Sequence, residues 1–165
     1  MKQILAYAAG LFDGEGYVDI YSATRSKNSK SPSLMLRVII SQKDGRIMNW
    51  LQDNFGGHVI TERRKDSYIH RWDIRSQAAR RFLSSILPFV IIKKAQVELA
   101  ISYEDMKSKY LSTLKGSHGF RRLSDEEIKG RIEIKENLKK LKKEYAPYIK
   151  NGAGTTTKRD NPSGM

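Results

Sequence analysis

Hydrophobic positions along the chain change period several times, and each change marks an element. Residues 3–13, QILAYAAGLFD, predict a helix, because Ile4, Ala8, Leu11 and Phe12 share one side while Ala6, Ala9, Gly10 and Asp13 make a second side of small residues. GEG follows, with glycines that suit a chain reversal at a helix C-terminus. From residue 17 the period drops to two, so that Val18, Ile20 and Ser22 face one way and Tyr17, Asp19, Tyr21 and then Arg25 the other. After the polar stretch 26–33 the alternation returns, with Leu36, Val38 and Ile40 inward and Met35, Arg37, Ile39 and Ser41 outward. These two strands predict a long hairpin. The spacing of Ile47, Trp50, Leu51 and Phe55 predicts a helix from Lys43 to Phe55, stopped by Gly56 and Gly57.

HVITERR (58–64) and SYIHRWDIR (67–75) predict two further strands joined at Lys65 and Asp66. Residues 76–86 predict a helix with Ser76 as its cap and Pro88 beyond it, and residues 91–106 another with Ile92, Val97 and Ile101 as its apolar positions. The order α, β, β, α, β, β, α implies an α+β fold, a four-stranded antiparallel sheet covered on one face by helices. Past a Gly/Ser/Arg-rich loop over 112–123, a capping box from Ser124 to Glu127 opens a last helix carrying Ile128, Ile132, Leu138, Leu141 and Tyr145, with lysines on its other face. Residues 151–165 have almost no apolar content, which predicts a flexible tail. The expected organisation is a core over 1–110, a basic helical extension over 111–150 and that tail, with no internal repeat.

Composition narrows the chemistry. A 165-residue chain that is 39% hydrophobic has enough apolar material for one folded core, which excludes disorder throughout. Its 31 Lys and Arg against 18 Asp and Glu leave a formal charge of +13, so the expected partner is a polyanion, nucleic acid before membrane. No apolar run approaches the roughly 20 residues of a membrane span, and residues 1–10 lack the pattern of a signal peptide, which gives the expectation of an intracellular protein. There is no cysteine, and His58, His70 and His118 lack zinc-ligand spacing. Hydrolytic chemistry would therefore rest on carboxylates, Lys, or a hard cation held by oxygen.

The charge is concentrated. Residues 20–94 hold fifteen Lys and Arg against five Asp and Glu. Arg25, Arg37, Arg63 or Arg64, Arg71 and Arg75 occupy outward phases of the expected strands, interleaved with Tyr17, Asp19, Tyr21, Ser41, Thr61 and Asp73. Arginine forks, hydroxyls and carboxylates on a β-ribbon are the groups that read base edges in a DNA major groove. The plain alternative is a solvated sheet face.

Residues 8–16, AAGLFDGEG, resemble the signature of the LAGLIDADG homing endonucleases: Ala9, Gly10, Leu11, Asp13 and Gly16 match its letters, and Phe12 and Gly14 are apolar and small replacements. Ala8 stands for the first leucine, and Glu15 for the second aspartate, which keeps the carboxylate with one methylene more. The resemblance extends over residues 2 to about 108 through the order of elements. It implies a Mg²⁺-dependent endonuclease that makes a staggered double-strand break in duplex DNA at a long pseudo-palindromic site, for intron or intein-type homing; Mn²⁺ can substitute, and Ca²⁺ binds without supporting cleavage. One signature without a repeat implies a homodimer. The small stripe Ala6, Ala9, Gly10, with Asp13 below it, would let two copies of the helix approach closely and bring two Glu15 carboxylates together. By the same resemblance Asp13 is structural, Glu15 and the Gly14 carbonyl bind metal, and Gln42, Arg46 and Lys93 surround the scissile phosphate, Gln orienting water and the cations offsetting charge. Two other classes compete with the enzyme: a relative that binds DNA or intron RNA without cutting, as maturases do, and a basic ribosome-associated protein.

Overall fold

The computed structural model describes residues 1–23, 33–112 and 123–151. The elements in chain order are α1 (Lys2–Glu15), β1 (Gly16–Ala23), β2 (Ser33–Gln42), α2 (Gly45–Phe55), β3 (His58–Arg64), β4 (Ser67–Arg75), α3 (Ser76–Ile86), a 3-10 turn (Leu87–Phe89), α4 (Lys94–Ser112) and α5 (Asp125–Asn151). The strands form one antiparallel sheet in the order β1-β2-β4-β3. The expected α+β architecture is thus present, as is the hairpin of β1 with β2, with Val18 opposite Val38.

Period-two burial explains the layers. Val18, Ile20, Leu36, Val38, Ile40, Trp72 and Ile74 are buried beneath α1, α2, α3 and α4, which contribute Ala8, Phe12, Met48, Leu51, Phe82, Leu83 and Val97. At the centre the Phe82 ring meets Trp72, Phe55 and Phe12 edge to face, with centroids 4.9, 5.0 and 6.4 Å away. Trp72 donates its indole N–H to the Gly56 carbonyl at 2.7 Å. Gly57, at φ 89°, passes so close that a Cβ would lie 2.8 Å from the Asp73 carbonyl oxygen. Two adjacent glycines are therefore needed where α2 turns into β3.

Several boundaries differ from the sequence reading. Helix α3 has Arg75 as its N-cap with no side-chain hydrogen bond, and Ser76 lies inside the helix at φ 49°, so Ser76 does not cap it. Helix α4 begins at Lys94 rather than 91, because the preceding backbone amides are taken by a side chain of α1. Ile91 and Ile92 are consequently outside the helix and exposed. In α5 the expected cap is present, Glu127 N–H to Ser124 Oγ at 3.2 Å, and Leu138 is buried, but the same inward face carries the buried pair Glu127 and Arg131 while Ile132 is exposed. Helix α5 packs on α4 and touches β1. Among the described residues no helix is long and apolar enough to cross a membrane.

Candidate functional site

The site is built at the C-terminal end of α1. The helix runs through Glu15, and Gly16 continues in extended conformation (φ −77°, ψ 145°) straight into β1. Gly16 is not a left-handed cap; its lack of a Cβ is needed because a side-chain carbon there would run into the Phe12 ring and carbonyl oxygen. Glu15 is thereby the last helical residue rather than one beyond it. Its carboxylate is exposed and makes no hydrogen bond or ion pair among the described residues.

Asp13 behaves differently. Its carboxylate accepts three consecutive backbone N–H groups, from Ile91 at 2.7 Å, Ile92 at 3.2 Å and Lys93 at 3.0 Å. Asp13 thus serves its own chain, in the structural role that the resemblance implies. Lys93 returns the connection: its Nζ donates to the Gly16 carbonyl at 2.7 Å and the Phe12 carbonyl at 3.0 Å and lies 5.6 Å from the Phe12 ring centroid. Half-burial pushes the Lys93 ammonium below its ordinary 10.5, against the opposing pull of Asp13 and Glu15.

Glu15 and Gln42 line one cleft of about 500 Å³ together with Ser41, Lys43, Asp44 and Ile69. Asp44 is the cap of α2, accepting the Arg46 N–H at 2.9 Å, and the Arg46 guanidinium folds back onto the same carboxylate at 2.6 Å. These bonds hold the Asp44 carboxyl down at about 2. Arg46 is otherwise exposed and borders a separate groove with Tyr7, Ile47 and Trp50. The structure therefore brings Glu15, Gln42 and Lys93 to one end of α1 and leaves Arg46 attached to that site only through Asp44. Asp44 escapes the sequence reading, although an Asp directly before the helical GRIMNWL is an N-cap signal.

The donors at this site suit a hard cation only in part. The Glu15 carboxylate and the carbonyl of Gly14, in the last helical turn, are hard oxygens. Among the described residues no group of three His, Cys, Asp or Glu side chains is placed to hold a metal. At this end of α1 the described residues of one chain offer one free carboxylate where a hard-cation cage needs more.

The α1 face that could receive a second copy differs in one member from the expected stripe. Ala9 is fully buried against its own core, so it is withdrawn from that stripe. Ala6 and Gly10 are exposed, and Gly14 extends them at a spacing of four; a Cβ on Gly10 or Gly14 would meet nothing within 4 Å.

On the sheet, the face opposite the helices carries Tyr17, Asp19, Tyr21, Arg37, Ser41, Arg71, Asp73 and Arg75, as pair register requires: Asp19 faces Arg37, Arg37 faces Arg75, and Ser41 faces Arg71. Thr61 and Arg63 do not belong to it. They pair with His70 and Tyr68, one residue out of phase with Arg71, and Thr61 Oγ1 lies 2.9 Å from His70 Nδ1; Ile60, Glu62 and Arg64 take the outward positions instead. Asp73 is in phase but only 1% exposed, sequestered by Arg37 and Arg75, so it cannot meet a base. Arg71 is paired with Glu62 at 2.5 Å. Lys142 of α5 reaches this face, 3.2 Å from Asp19 and 3.9 Å from the Tyr17 ring centroid. Arg25 lies outside the described residues.

A sequence profile of the LAGLIDADG endonuclease family matches residues 8–94, from the signature through Lys93. No curated protein sequence is similar enough to count as a match. Among solved structures, the homing endonuclease I-CvuI, crystallised with the I-CreI target and Mg, is 18% identical with a TM-score of 0.55, covering 85% of this chain and 95% of that one. The archaeal intron-encoded I-Vdi141I, complexed with DNA, is 15% identical with a TM-score of 0.53, over 84% and 98%. The meganuclease I-CpaMI, bound to uncleaved DNA, is 19% identical with a TM-score of 0.60, and there 98% of this chain covers 52% of the longer one. With the signature, its helix and the sheet that follows all in place, the chain belongs to the LAGLIDADG endonuclease family.

Proposed function

We propose that the chain is one half of a homodimeric, divalent-metal-dependent endonuclease that makes a staggered double-strand break at a long pseudo-palindromic DNA site, in the homing of an intron or intein-type element. The observation that carries the reading is the free Glu15 carboxylate at the foot of an exposed small stripe, Ala6, Gly10 and Gly14. A carboxylate facing a DNA backbone repels it, so such a group is costly to a binder and useful to an enzyme that loads a cation there. Coverage of about half of I-CpaMI but nearly all of I-CvuI supports a chain that supplies one of two equivalent halves. Twofold pairing through the stripe would set two Glu15 side chains side by side.

Each residue then has a task. Glu15, with the Gly14 carbonyl, would hold Mg²⁺, which would supply Lewis-acid stabilisation of the phosphoryl oxygens. Gln42, in the same cleft as Glu15, orients the attacking water. Lys93 keeps its proton and offsets charge developing on the phosphate, with two N–H bonds fixing its ammonium and a third left to give. Asp13 positions Lys93 by holding its backbone. Tyr17, Tyr21, Arg37, Ser41, Arg71 and Arg75 face the major groove, one half-site per subunit over about two helical turns. Incubating the protein with plasmid carrying the uninterrupted host gene, in Mg²⁺ or in EDTA, tests the reading: linear product with paired overhangs in Mg²⁺ alone is the expected result, and intact plasmid alongside tight RNA binding overturns it.

A further inference from the structure

Arg37 and Arg75 stand directly opposite one another on β2 and β4. Like charges in that relation repel, so the pair needs a reason and a counter-charge. The counter-charge is Asp73, two residues before Arg75 on β4 and 1% exposed. Its Oδ2 accepts Nε and Nη2 of Arg37, and its two oxygens accept Nε and Nη2 of Arg75, the latter two bonds each at 2.9 Å. Tyr21 supports both guanidiniums from β1, its ring centroid 5.6 Å from the Arg37 carbon and 6.0 Å from that of Arg75.

This wiring uses one edge of each fork and spares the other. An arginine has five N–H groups, and bonding through Nε and one Nη2 hydrogen leaves both hydrogens of Nη1 and one of Nη2 for an end-on approach. Two parallel N–H donors at that spacing match O6 and N7 of guanine in the major groove. Both arginines lie on the sheet face opposite the helices and keep part of their surface open, 23% for Arg37 and 45% for Arg75. An ion pair serving only to tie β2 to β4 would need one arginine, and would not need both side chains left partly open.

We propose that Arg37, Asp73 and Arg75 act as one reading unit for guanine in each DNA half-site, the two arginines touching bases and Asp73 acting as the positioning residue that fixes their forks. The proposal rests on the DNA-cutting function proposed above. With the forks already immobilised, the side-chain ordering that base reading normally costs has been met within the folded chain. Asp73 therefore determines specificity without touching DNA, and its removal leaves two mobile cations that suit phosphates as well as bases.

The test is selection from a randomised duplex library in EDTA with the full-length wild type, Asp73→Asn and Arg75→Lys, each checked for folding by its melting curve. The wild type should enrich a symmetric site with guanine fixed at one or two positions per half. Asp73→Asn should lose about 5- to 150-fold of the preference at those positions alone, while other positions keep theirs and random-sequence binding stays equal or tightens. Arg75→Lys keeps the charge and loses the fork, so it should relax the same positions with an unchanged salt slope, and it decides the matter if Asp73→Asn does not fold. Unaltered preference in both variants, or equal weakening on all sequences, overturns the reading unit while leaving DNA recognition standing. A wild type that enriches no sequence overturns DNA recognition and the reading unit with it.

Discussion

The Asp13 carboxylate accepts the backbone N–H of Lys93 while the Lys93 side chain donates back to the carbonyls on either side of Asp13, so two residues 80 positions apart lock the end of α1 to the start of α4. Asp13→Asn keeps the size and removes the charge that holds three N–H groups. It should cost about 1.5–3 kcal/mol in thermal or denaturant unfolding. Cleavage should fall further than stability accounts for, because Lys93 loses its fixed position. An Asp13→Asn variant that unfolds and cuts as the wild type does would detach Asp13 from this role.

Gly10 should separate folding from assembly. A Cβ there meets nothing in its own chain, and glycine inside a helix is the poorer helix former by about 0.8–1 kcal/mol against alanine. Gly10→Leu should therefore give a chain that melts no lower than the wild type as a subunit, yet runs as a monomer by light scattering and does not cut. A dimeric, active Gly10→Leu variant would place the twofold contact elsewhere.

Lys93 in its proposed role should set an alkaline limit on cutting. Burial lowers its ammonium below 10.5, so the charge needed on the phosphate is lost earlier on raising the pH than for an ordinary lysine. Single-turnover cutting should decline with an apparent pKa below that value, and Lys93→Arg should move the decline upward while Lys93→Met removes most activity. For stability the sign is opposite: the buried charge is a burden below the folded pKa that is relieved as pH rises from there toward 10.5. A rate that climbs through this range would assign Lys93 to base chemistry instead.

Asp73 gives an acid-side counterpart. Burial alone would raise its carboxyl, but hydrogen bonds from Arg75 and Arg37 overcome that and hold it below 3.8. A depressed folded value contributes stability above the unfolded pKa and loses it as pH falls through the folded one. Unfolding midpoints measured from pH 5 downward should therefore fall less steeply in Asp73→Asn than in the wild type.

The sheet and its helices are legible in the sequence because alternation with period two and the glycine and proline punctuation act over whole elements, as in Val18, Ile20 and Val38 against Tyr17, Asp19 and Arg37. Glu15, Gln42 and Lys93 are legible through the signature and its resemblance. What the sequence hides depends on one-residue phase or on long-range pairing. Thr61 and Arg63 fall on the wrong face in the sequence reading because HVITERR has no strong apolar alternation to fix its register, and the structure leaves five of its seven residues exposed and none buried. The withdrawal of Ala9 reflects a helix whose core-facing side is itself made of small residues, so size alone does not say which alanine faces out. Asp73 reads like a solvent-facing carboxylate until the two arginines across and beside it are placed. Lys142 reads like one more solvated lysine until α5 brings it to Asp19.

In the proposed endonuclease Glu15 carries the metal for chemistry and burdens binding. Cutting and binding of one duplex containing the cognate site should be measured for wild type and Glu15→Gln, with Mg²⁺ and with EDTA. Glu15→Gln is expected to abolish cutting in Mg²⁺ and to bind the site in EDTA as tightly as the wild type or more so, because the shape stays and the repelling charge is gone. Cutting by Glu15→Gln at the wild-type rate would contradict it, moving the metal site away from the end of α1.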